Sequence, residues 1–571
     1  MQLLKHFKEL TVNSKNAKEL KGLILQLAIQ GKLTANWRKE NTNIEPASEL
    51  LDRIQKEKEQ LAKEKKIKKD KELPKLTDEE IPFNIAKSWI WTRLGEIGTT
   101  NVGLTYKPAH KNETGVPVLR SSNIQEGELC LNDLVRVNTE YREKDIIEKG
   151  DLLICARNGS RRLVGKCTII GQIDEVMVFG AFMAIFRSNF NQYLQLFIQS
   201  PQYRSKLDGV ETTTINQITQ GNLKATSVPL PPLEEQKEIV KVVETLFKEV
   251  DKLEQLTVAR ISLKEDFVRS ALKELTNNNT KKEWDYLQEH FKSFFNETTN
   301  IKKLRETVLQ LAVQGKLTAD WRANNPRTED ATILLKRIQK EKAQLIEDKK
   351  IKKEKILPKI TKEEIPYKIP DGWVWCRMGT ISDIIAGASF KSGDFNKTGG
   401  VKCIKITNAG VRIFVETNDY LPKGFDKLHL NYLIKEGDLI LALTRPYIKD
   451  GLKISICPST YNNSLLNQRV ASIRSMTKEI YHPYIFSYIQ SPKVLSFYKS
   501  KFDGKSQQPN MKMGDITDLL ISVPPLEEQK AIVEKVNALM SLCDKLEQEV
   551  QQSEAHSKQL MKSCLKEVFV G

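Results

Sequence analysis

Polar and basic side chains gather at the ends of predicted strands in two separate parts of this sequence. Each part contains β-type runs, such as DLLICAR at 151–157 and GDLILAL at 437–443, punctuated by Gly, Asn and Thr. Arg, Asn and Gln can contact the edges of DNA bases through two hydrogen bonds, whereas Lys and Thr are good phosphate ligands. Because such residues recur in loops of both parts, we predict that they bind DNA.

The predicted DNA-binding residues form loop clusters of similar composition in the two parts. Any one of them would fit an ordinary protein surface equally well, so the recurrence of the clusters is the stronger signal. In the first part they are Tyr106, Lys107, Arg120, Ser122, Asn123, Arg157, Asn158, Ser160, Arg161, Arg162, Thr214, Asn216 and Gln217. In the second part they are Lys391, Lys405, Thr407, Asn408, Thr444, Arg445, Tyr447, Lys449, Gln468, Arg469, Lys505, Gln507, Gln508 and Asn510.

A catalytic constellation is not found in the sequence. There is no Asn-Pro-Pro-Tyr or Asp-Pro-Pro-Tyr tetrapeptide for methylating a flipped base, and no Gly-x-Gly-x-x-Gly fingerprint for a nucleotide cofactor. The eight cysteines contain no Cys-x-x-Cys pair and the six histidines are scattered. We therefore expect reduced thiols in a cytosol, no zinc site, no disulfide framework and no catalysis by the chain itself.

An internal repeat surrounds the two clusters. LQLAIQGKLTANWR at 25–38 returns as LQLAVQGKLTADWR at 309–322, within a gapless match of about 85 residues. After a dissimilar stretch the match resumes, with PPLEEQKEIV at 231–240 and PPLEEQKAIV at 524–533. The chain is therefore two tandem copies of one unit. A constant frame around two divergent inserts indicates one architecture that recognises two different things.

Long helices are predicted after each insert. From Ile239 the apolar residues step by four and three, and the run from Ile532 repeats this heptad spacing. A helix of some 40 residues would reach roughly 60 Å, and the two prolines before each run suit a helix start. Heptads alone more often mean packing, but their length and duplication favour a spacer that holds two domains apart. The Lys-rich stretches at 56–72 and 340–355 alternate Lys with Glu, which favours a solvated helix face or a protein-docking surface over DNA contacts.

The composition limits the class of protein. The 571 residues are 40% hydrophobic and 29% charged, which is typical of a soluble globular chain with two to four domains. No apolar run approaches the roughly 20 residues of a membrane helix, and the start does not resemble a signal peptide. The net charge of +17 and the pI near 9.2 favour a nucleic-acid partner over an indifferent basic surface.

These patterns predict five segments. Two mixed α/β inserts occupy 88–230 and 372–523, and helical frame segments occupy 1–87, 231–371 and 524–571. The central frame segment divides into a long helix at 231–276, a polar linker at 277–284 and repeat helices at 285–356. The predicted fold class is α/β (α+β), with two copies of a domain separated by long antiparallel coiled-coil helices in a pseudo-two-fold tandem repeat.

The frame and the inserts together resemble the specificity (S) subunits of type I restriction–modification systems. PLPPLEEQKEIV and SVPPLEEQKAIV before long helices are fairly specific to that family, and LRETVLQLAVQGKLTADWR at 304–322 is similar to its central conserved region. GLTYKPAH and VPVLRSSNIQEG, at 103–110 and 116–127, look like part of a first target recognition domain. One departure is the helical segment ahead of the first insert, since some members begin almost directly with that domain.

The resemblance implies that each insert reads one half of a bipartite, asymmetric DNA sequence, while the paired helices fix the gap between the halves. Two methyltransferase (M) subunits would dock on the frame and supply S-adenosylmethionine and adenine-N6 methylation, and restriction (R) subunits would bring ATP and Mg. The chain would bind no cofactor of its own and act in a bacterial or archaeal cytoplasm. The repeated frame supplies the predicted docking residues Leu27, Gln30, Leu33, Leu311, Gln314 and Leu317.

The sequence leaves three alternative functions open. The chain could recognise DNA for a related methylation or phage-defence complex with other partners. It could be a non-enzymatic coiled-coil scaffold whose inserts bind proteins, although the basic excess and the diverged inserts count against this. A self-contained nuclease would need acidic metal ligands.

Overall fold

The computed structural model describes residues 16–64, 73–208, 216–277, 281–351, 356–448, 451–501 and 509–570. The chain divides into two compact units. Unit 1 contains the residues up to 261 together with those from 554 onward, and unit 2 contains 262–553. Each unit holds one insert.

Short helices of unit 1 precede and flank the first insert. The first of them ends at Gly31, whose φ of +67° favours glycine, and the amide of Lys32 donates back to the carbonyl of Leu27. The helix ends here because glycine adopts this left-handed conformation without strain. Any other residue at position 31 would be strained, and its side chain would also meet Trp89. These helices are α1 (Ala17–Ile29), α2 (Ala35–Glu40), α3 (Ala47–Lys63), α4 (Leu94–Ile97), α5 (Asn191–Gln199), α6 (Pro201–Asp208) and α7 (Gln220–Ala225).

The strands of unit 1 build two main sheets. They are β1 (Ile90–Arg93), β2 (Thr99–Val102), β3 (Lys111–Leu119), β4 (Ile124–Gln125), β5 (Glu128–Leu129), β6 (Val135–Val137), β7 (Leu152–Cys155), β8 (Arg157–Asn158), β9 (Cys167–Ile169), β10 (Val178–Phe179), β11 (Met183–Arg187), β12 (Asn216–Gln217) and β13 (Ser227–Leu230). An antiparallel sheet has the order β2–β11–β7–β9, and a mixed sheet has the order β10–β3–β6. Antiparallel pairing of β1 with β13 closes the insert at its base.

The helices and strands of unit 2 follow the same plan. Gly315, at φ +71°, ends the helix equivalent to α1. The long helix that precedes them in the chain is α8 (Leu233–Asn277). The shorter helices are α9 (Lys281–Glu289), α10 (Phe291–Phe294), α11 (Thr298–Val313), α12 (Ala319–Asn324), α13 (Ala331–Glu347), α14 (Met378–Ile381), α15 (Phe425–Leu428), α16 (His482–Ile489), α17 (Pro492–Ser500) and α18 (Met513–Thr517).

The strands of unit 2 form a four-stranded antiparallel sheet, a second mixed sheet and two strand pairs. They are β14 (Val374–Arg377), β15 (Ser382–Ala386), β16 (Val401–Ile404), β17 (Tyr420–Leu421), β18 (Leu433–Ile434), β19 (Leu439–Ala442), β20 (Tyr447–Ile448), β21 (Gly451–Leu452), β22 (Ile454–Ile456), β23 (Ser464–Leu466), β24 (Val470–Ser475) and β25 (Leu520–Val523). The sheet orders are β15–β24–β19–β22 and β17–β16–β23–β18, and β14 pairs with β25 at the base.

A central strand of each insert is buried on both faces. On β7, Leu152 and Ile154 pack with the frame helices, while Leu153 and Cys155 pack into the core of the outer sheet. This division follows from the two-residue period of a strand. On β19 the same alternation sends two side chains to each side. A continuous apolar run such as LLIC therefore joins the insert to its frame.

Two helices of 45 residues follow the inserts, α8 (Leu233–Asn277) and α19 (Leu526–Val570). At 1.5 Å per residue each is about 67 Å long. In unit 1, Val250 of α8 clusters with Leu560 of α19. In unit 2, Val268 of α8 clusters with Cys543 of α19. The two mixed helix-and-sheet inserts, with a long helix between them, confirm the predicted fold class.

Some predicted boundaries differ from the structure. Helix α8 begins at Leu233 rather than at 231, because the carbonyl of Pro232 accepts the first helical hydrogen bond, from the amide of Gln236. Helix α9 begins at Lys281, inside the stretch 277–284 that the sequence predicts as a linker. The last of the repeat helices predicted at 285–356 ends at Glu347, nine residues earlier than predicted. Charged side chains can occupy a helix start, so polarity alone did not mark a loop.

Candidate nucleic-acid interface

A buried carboxylate joins the first insert to the long helix. Glu235, in the first turn of α8, has no exposed side-chain area and accepts hydrogen bonds from Thr34 Oγ1 at 2.7 Å and from Trp89 Nε1 at 2.8 Å. The guanidinium of Arg38 also donates to this carboxylate and lies over the ring of Trp89. Such a buried charge is stable only because it is fully paired. Residues of three repeated motifs therefore meet at the Glu235 carboxylate.

The second unit builds the same joint with the second copy of each motif. Glu528 accepts from Thr318 Oγ1 at 2.7 Å, from Arg322 Nη1 at 2.5 Å and from Trp373 Nε1 at 2.8 Å. Arg322 again lies over the indole, with its guanidinium carbon 5.9 Å from the ring centroid of Trp373. These motifs therefore occur twice because each copy fixes one insert to its long helix.

A second repeated contact anchors the segment before each insert. Arg93, at the end of β1, is almost completely buried and donates to Glu80 Oε2 at 2.8 Å and to Pro74 O at 2.6 Å. The pKa of Glu80 is lowered to about 2, chiefly by the hydrogen bond from Arg93 and next by the one from the amide of Thr77. Arg377 and Glu364 repeat this pair at 3.0 Å in unit 2. The LPKLTDEEIP and LPKITKEEIP motifs are thus part of the scaffold.

Five loop segments of the first insert come together. We call them the first loop face, which consists of residues 104–107, 119–123, 156–162, 180–182 and 216–218. A bridge pairs Leu104 with Gly180. Backbone hydrogen bonds join the other segments, from Gly180 N to Leu119 O (2.9 Å), from Ala156 N to Phe182 O (2.9 Å) and from Ile218 N to Ala156 O (2.7 Å).

The second insert repeats this pattern in a different sequence. Its second loop face consists of residues 388–391, 404–408, 443–448, 467–469 and 509–511. A bridge pairs Ala388 with Asn467. The matching backbone hydrogen bonds run from Asn467 N to Ile404 O (2.9 Å), from Leu443 N to Arg469 O (2.9 Å) and from Met511 N to Leu443 O (2.7 Å).

No segment of either loop face contains Asp or Glu. In the first loop face, Lys107, Ser122, Ser160, Arg161, Arg162 and Gln217 are exposed. In the second, Lys391, Thr407, Arg445, Gln468, Arg469 and Asn510 are exposed. Lys107 and Lys391 occupy matching places, since each begins a short 3-10 turn. The structure therefore brings most of the predicted residues of each insert together on one basic surface.

Two predicted base contacts are instead buried. The sequence predicts Asn123 and Asn408 as DNA contacts, but neither side chain is exposed. The amide oxygen of Asn123 accepts from Arg120 N at 2.9 Å, and its NH2 group donates to Cys130 O at 3.0 Å. Asn408 makes the matching bonds to its own loop. Both residues hold the loop that carries the exposed residues beside them.

Other side chains of the first loop face are partly engaged within the insert. Asn158 donates to Ser121 Oγ at 3.3 Å and accepts from Ser160 N at 2.9 Å. Tyr106 is half-buried, and Arg120 forms an ion pair with Asp133 at 3.1 Å. The guanidinium carbon of Arg157 lies 5.2 Å from the ring centroid of Phe182.

Phe182 also belongs to the first loop face, but it is not among the predicted DNA-binding residues, because these were polar or basic. Its side chain is 59% exposed in the turn between β10 and β11, although it belongs to an apolar run. The sequence signal for its exposure is the Gly-Ala pair just before it, because a turn inside an apolar run exposes one residue of that run.

In the second loop face, Lys405 lies over the ring of Phe395 at 3.8 Å and pairs with Asp419 at 3.1 Å. Thr444 is half-buried and bridges to Asn510. Tyr447 is half-buried, with Lys499 over its ring. Outside the described residues, or without a described side chain, lie Thr214, Asn216, Lys449, Lys505, Gln507 and Gln508.

The predicted docking residues lie mostly inside the units. Leu27 and Gln30 are buried, and the other four are half-buried. Leu33 packs against the core of unit 1, and Leu317 packs against the core of unit 2. Their repetition is explained by packing within each unit. The Lys-rich helices α3 and α13 are mostly exposed, although Lys58 and Lys342 donate to carbonyl oxygens of Gly95 and Gly379.

Among the described residues, no group of three or more His, Cys, Asp or Glu side chains could hold a metal ion. Over the same parts of the chain, no helix is long and apolar enough to cross a membrane.

Comparisons with known proteins agree with this architecture. The family model for the type I restriction modification DNA specificity domain matches residues 87–261 and 370–553. The chain is 32% identical over 547 residues to the type I restriction enzyme EcoAI specificity subunit of Escherichia coli, covering 93% of this chain and 90% of that protein. It is 28% identical over 565 residues to the EcoEI specificity subunit of Escherichia coli, covering 94% and 92%.

A solved structure has a similar fold. One chain from a study of complex assembly and conformational transition of the type I R-M system matches with a TM-score of 0.50 and 17% identity, over 86% of this chain and 99% of that one.

Proposed function

This chain belongs to the family of type I restriction–modification DNA specificity subunits, and we propose that each loop face reads one half of a bipartite, asymmetric DNA target. The observation that carries the proposal is the matched pair of loop faces. They share the same backbone hydrogen bonds but present different side chains. Two copies of one scaffold with different reading residues suit a target whose halves differ in sequence.

The charge of the two loop faces supports DNA as the ligand. Each carries exposed Lys and Arg and no acidic residue in its segments, so phosphates would meet no like charge from them. Lys107, Lys391 and Arg162 would contact phosphates, while the other Arg, Gln and Asn side chains of the loop faces suit base edges in the major groove. Phosphate contacts would fix the register, and the base contacts would give the specificity.

The long helices are proposed to set the distance between the two half-sites. Each contains 45 residues without an interior Gly or Pro. A rigid helix transmits a fixed length, whereas a flexible linker would allow several spacings. The number of unspecified base pairs between the half-sites would therefore depend on the length of α8 and α19.

Catalysis is proposed to come from partner subunits. Two methyltransferase (M) subunits would dock on the repeated frame and bring S-adenosylmethionine for adenine-N6 methylation, and restriction (R) subunits would bring ATP and Mg. Because the predicted docking leucines are mostly engaged within the units, we assign docking to the exposed Lys- and Glu-rich faces of α3 and α13. These helices occur once per repeat, which suits two copies of one partner.

Base-resolution methylation mapping tests the proposal. Cells carrying this chain with its modification subunit should show a bipartite motif with methyladenine in each half, and deletion of the chain should remove it. Replacing residues 88–230 with the first insert of a relative should change one half only. A motif that persists without the chain would contradict the proposal. The absence of any motif would favour a complex without methylation, or a scaffold.

A further inference from the structure

The backbone of Arg445 is held in a conformation that arginine rarely adopts. Its φ is +48°, in the left-handed region that favours glycine. Arg445 lies in the second loop face, within the segment that pairs with residues 509–511. Backbone outliers of this kind persist only where the surroundings enforce them, and they cluster at binding sites.

The loop face itself enforces this conformation. The amide of Arg445 donates to the carbonyl of Pro509 at 2.8 Å, and Thr444 forms a β-bridge with Asn510. On the other side, the carbonyl of Pro446 accepts from the amide of Lys453 at 2.7 Å. The direction in which the side chain leaves the loop is therefore fixed from both sides.

The side chain of Arg445 is not used to hold the described fold. It is exposed, and within the part of the chain that the structure describes its guanidinium makes no hydrogen bond or ion pair. The matching position in the first loop face is Asn158, whose amide bonds to Ser121 and Ser160. One loop face thus uses this position to hold its loops, while the other presents a free guanidinium on a rigid base.

We propose that Arg445 is a specificity-determining residue that donates two hydrogen bonds to a guanine of the second half-site. This deepens the proposed function and rests on it. Guanine is the base whose O6 and N7 acceptors match the two parallel donors of a guanidinium. A phosphate can be reached by a flexible side chain from an unstrained loop. A base contact requires a fixed direction, which the constrained backbone provides.

The substitution Arg445→Gly separates recognition from folding, because glycine adopts this φ without strain. Asn463→Gly is the matched control. Asn463 has a φ of +61° and is exposed, but it precedes β23, whose opposite end leads into the loop face. In the complex with the modification subunit, both variants should melt within a few degrees of the wild type. Arg445→Lys keeps the charge but loses the planar pair of donors.

DNA binding is measured on the mapped bipartite target, with each guanine of the second half replaced in turn by adenine. For the wild type and Asn463→Gly, one replacement should weaken binding by about 5- to 140-fold. Arg445→Gly and Arg445→Lys should bind both DNAs within about twofold of each other. Replacing that guanine by 7-deazaguanine, which lacks the N7 acceptor, should weaken binding by the wild type and by Asn463→Gly, but not by the two Arg445 variants.

Two results would overturn the assignment. Arg445→Gly could keep the wild-type discrimination at every position of the half-site. Alternatively, it could weaken binding equally on all sequences and lower the salt dependence by about one counterion, which would identify a phosphate contact. If the wild-type complex recognised no bipartite target, the proposed function itself would fail, and the assignment would fall with it.

Discussion

The indole N–H of Trp89 donates to the carboxylate of Glu235, 2.8 Å away and 146 positions later, and Trp373 does the same to Glu528 at 2.8 Å. In each unit the tryptophan begins the insert and the glutamate begins the long helix. The insert is therefore fastened to the helix by a contact that depends on no residue of its loop face. Such a division allows the loops to diverge without loss of the joint.

Removing this carboxylate should destabilise unit 1. Glu235→Ala leaves Arg38, Thr34 and Trp89 without their shared acceptor, and breaking a buried charge pair costs about 3–5 kcal/mol. Urea unfolding should shift a transition of unit 1 to lower urea, while unit 2 retains its own joint. Glu234→Gln is the control, since that neighbouring glutamate is exposed and forms only an i,i+3 pair with Lys237. Equal effects of the two substitutions would contradict the role of the joint.

The Arg93–Glu80 pair should make stability depend on pH in the acid range. The pKa of Glu80 is lowered to about 2 in the folded protein from an ordinary value of 4.5, chiefly by the hydrogen bond from Arg93. A lowered folded pKa means that the stabilisation is complete above pH 4.5 and is lost as the pH falls towards 2. Glu80→Gln should therefore be less stable than the wild type at pH 7, and the difference should shrink below pH 4.5.

Urea midpoints between pH 7 and pH 3 measure this difference, with Glu79→Gln as the control at an exposed neighbouring position. A constant gap between wild type and Glu80→Gln across the whole range would show that the pair contributes nothing through its ionisation.

The repeat made most of the fold predictable from the sequence. The motif around Trp37, the WxW strand start and PPLEEQ mark the frame because they occur twice, and the heptads from Ile239 predict the long helix that is observed as α8. The extra helix starting at Lys281 was not predictable from polarity, since charged residues occupy both linkers and exposed helix faces. Local patterns also do not reveal that three distant motifs meet at Glu235, because that contact exists only after folding.

The candidate site was predictable by residue type but not by role. Asn123 and Arg162 look equally suited to DNA in the sequence, yet one is buried and the other is exposed. An Asn that bonds to its own loop cannot be distinguished from one that points at solvent without the backbone. Phe182 was missed for the opposite reason, because an apolar residue in an apolar run is normally assigned to the core.

Asn123→Ala should therefore act through stability. It removes hydrogen bonds to the Arg120 amide and to the carbonyls of Cys130 and Asp133. Leaving such buried groups without partners costs about 1–3 kcal/mol. Ser122→Ala, at an exposed position beside it, should leave the urea midpoint unchanged. If Asn123→Ala were as stable as Ser122→Ala yet failed to bind DNA, Asn123 would be a direct contact after all.

Arg162 should contribute to DNA affinity without contributing to sequence specificity. Its guanidinium is exposed on the first loop face, and in the described residues it makes no hydrogen bond or ion pair, although its carbonyl accepts from Arg204 at 2.8 Å. A cation that neutralises one phosphate releases condensed counterions, so the slope of log K against log salt should fall by about 0.9 in Arg162→Gln. The loss should be the same on the target and on unrelated DNA, because a phosphate carries no sequence information. Lys144→Gln, exposed on another turn of the same insert, should leave the slope unchanged, whereas a loss confined to the target would make Arg162 a base contact.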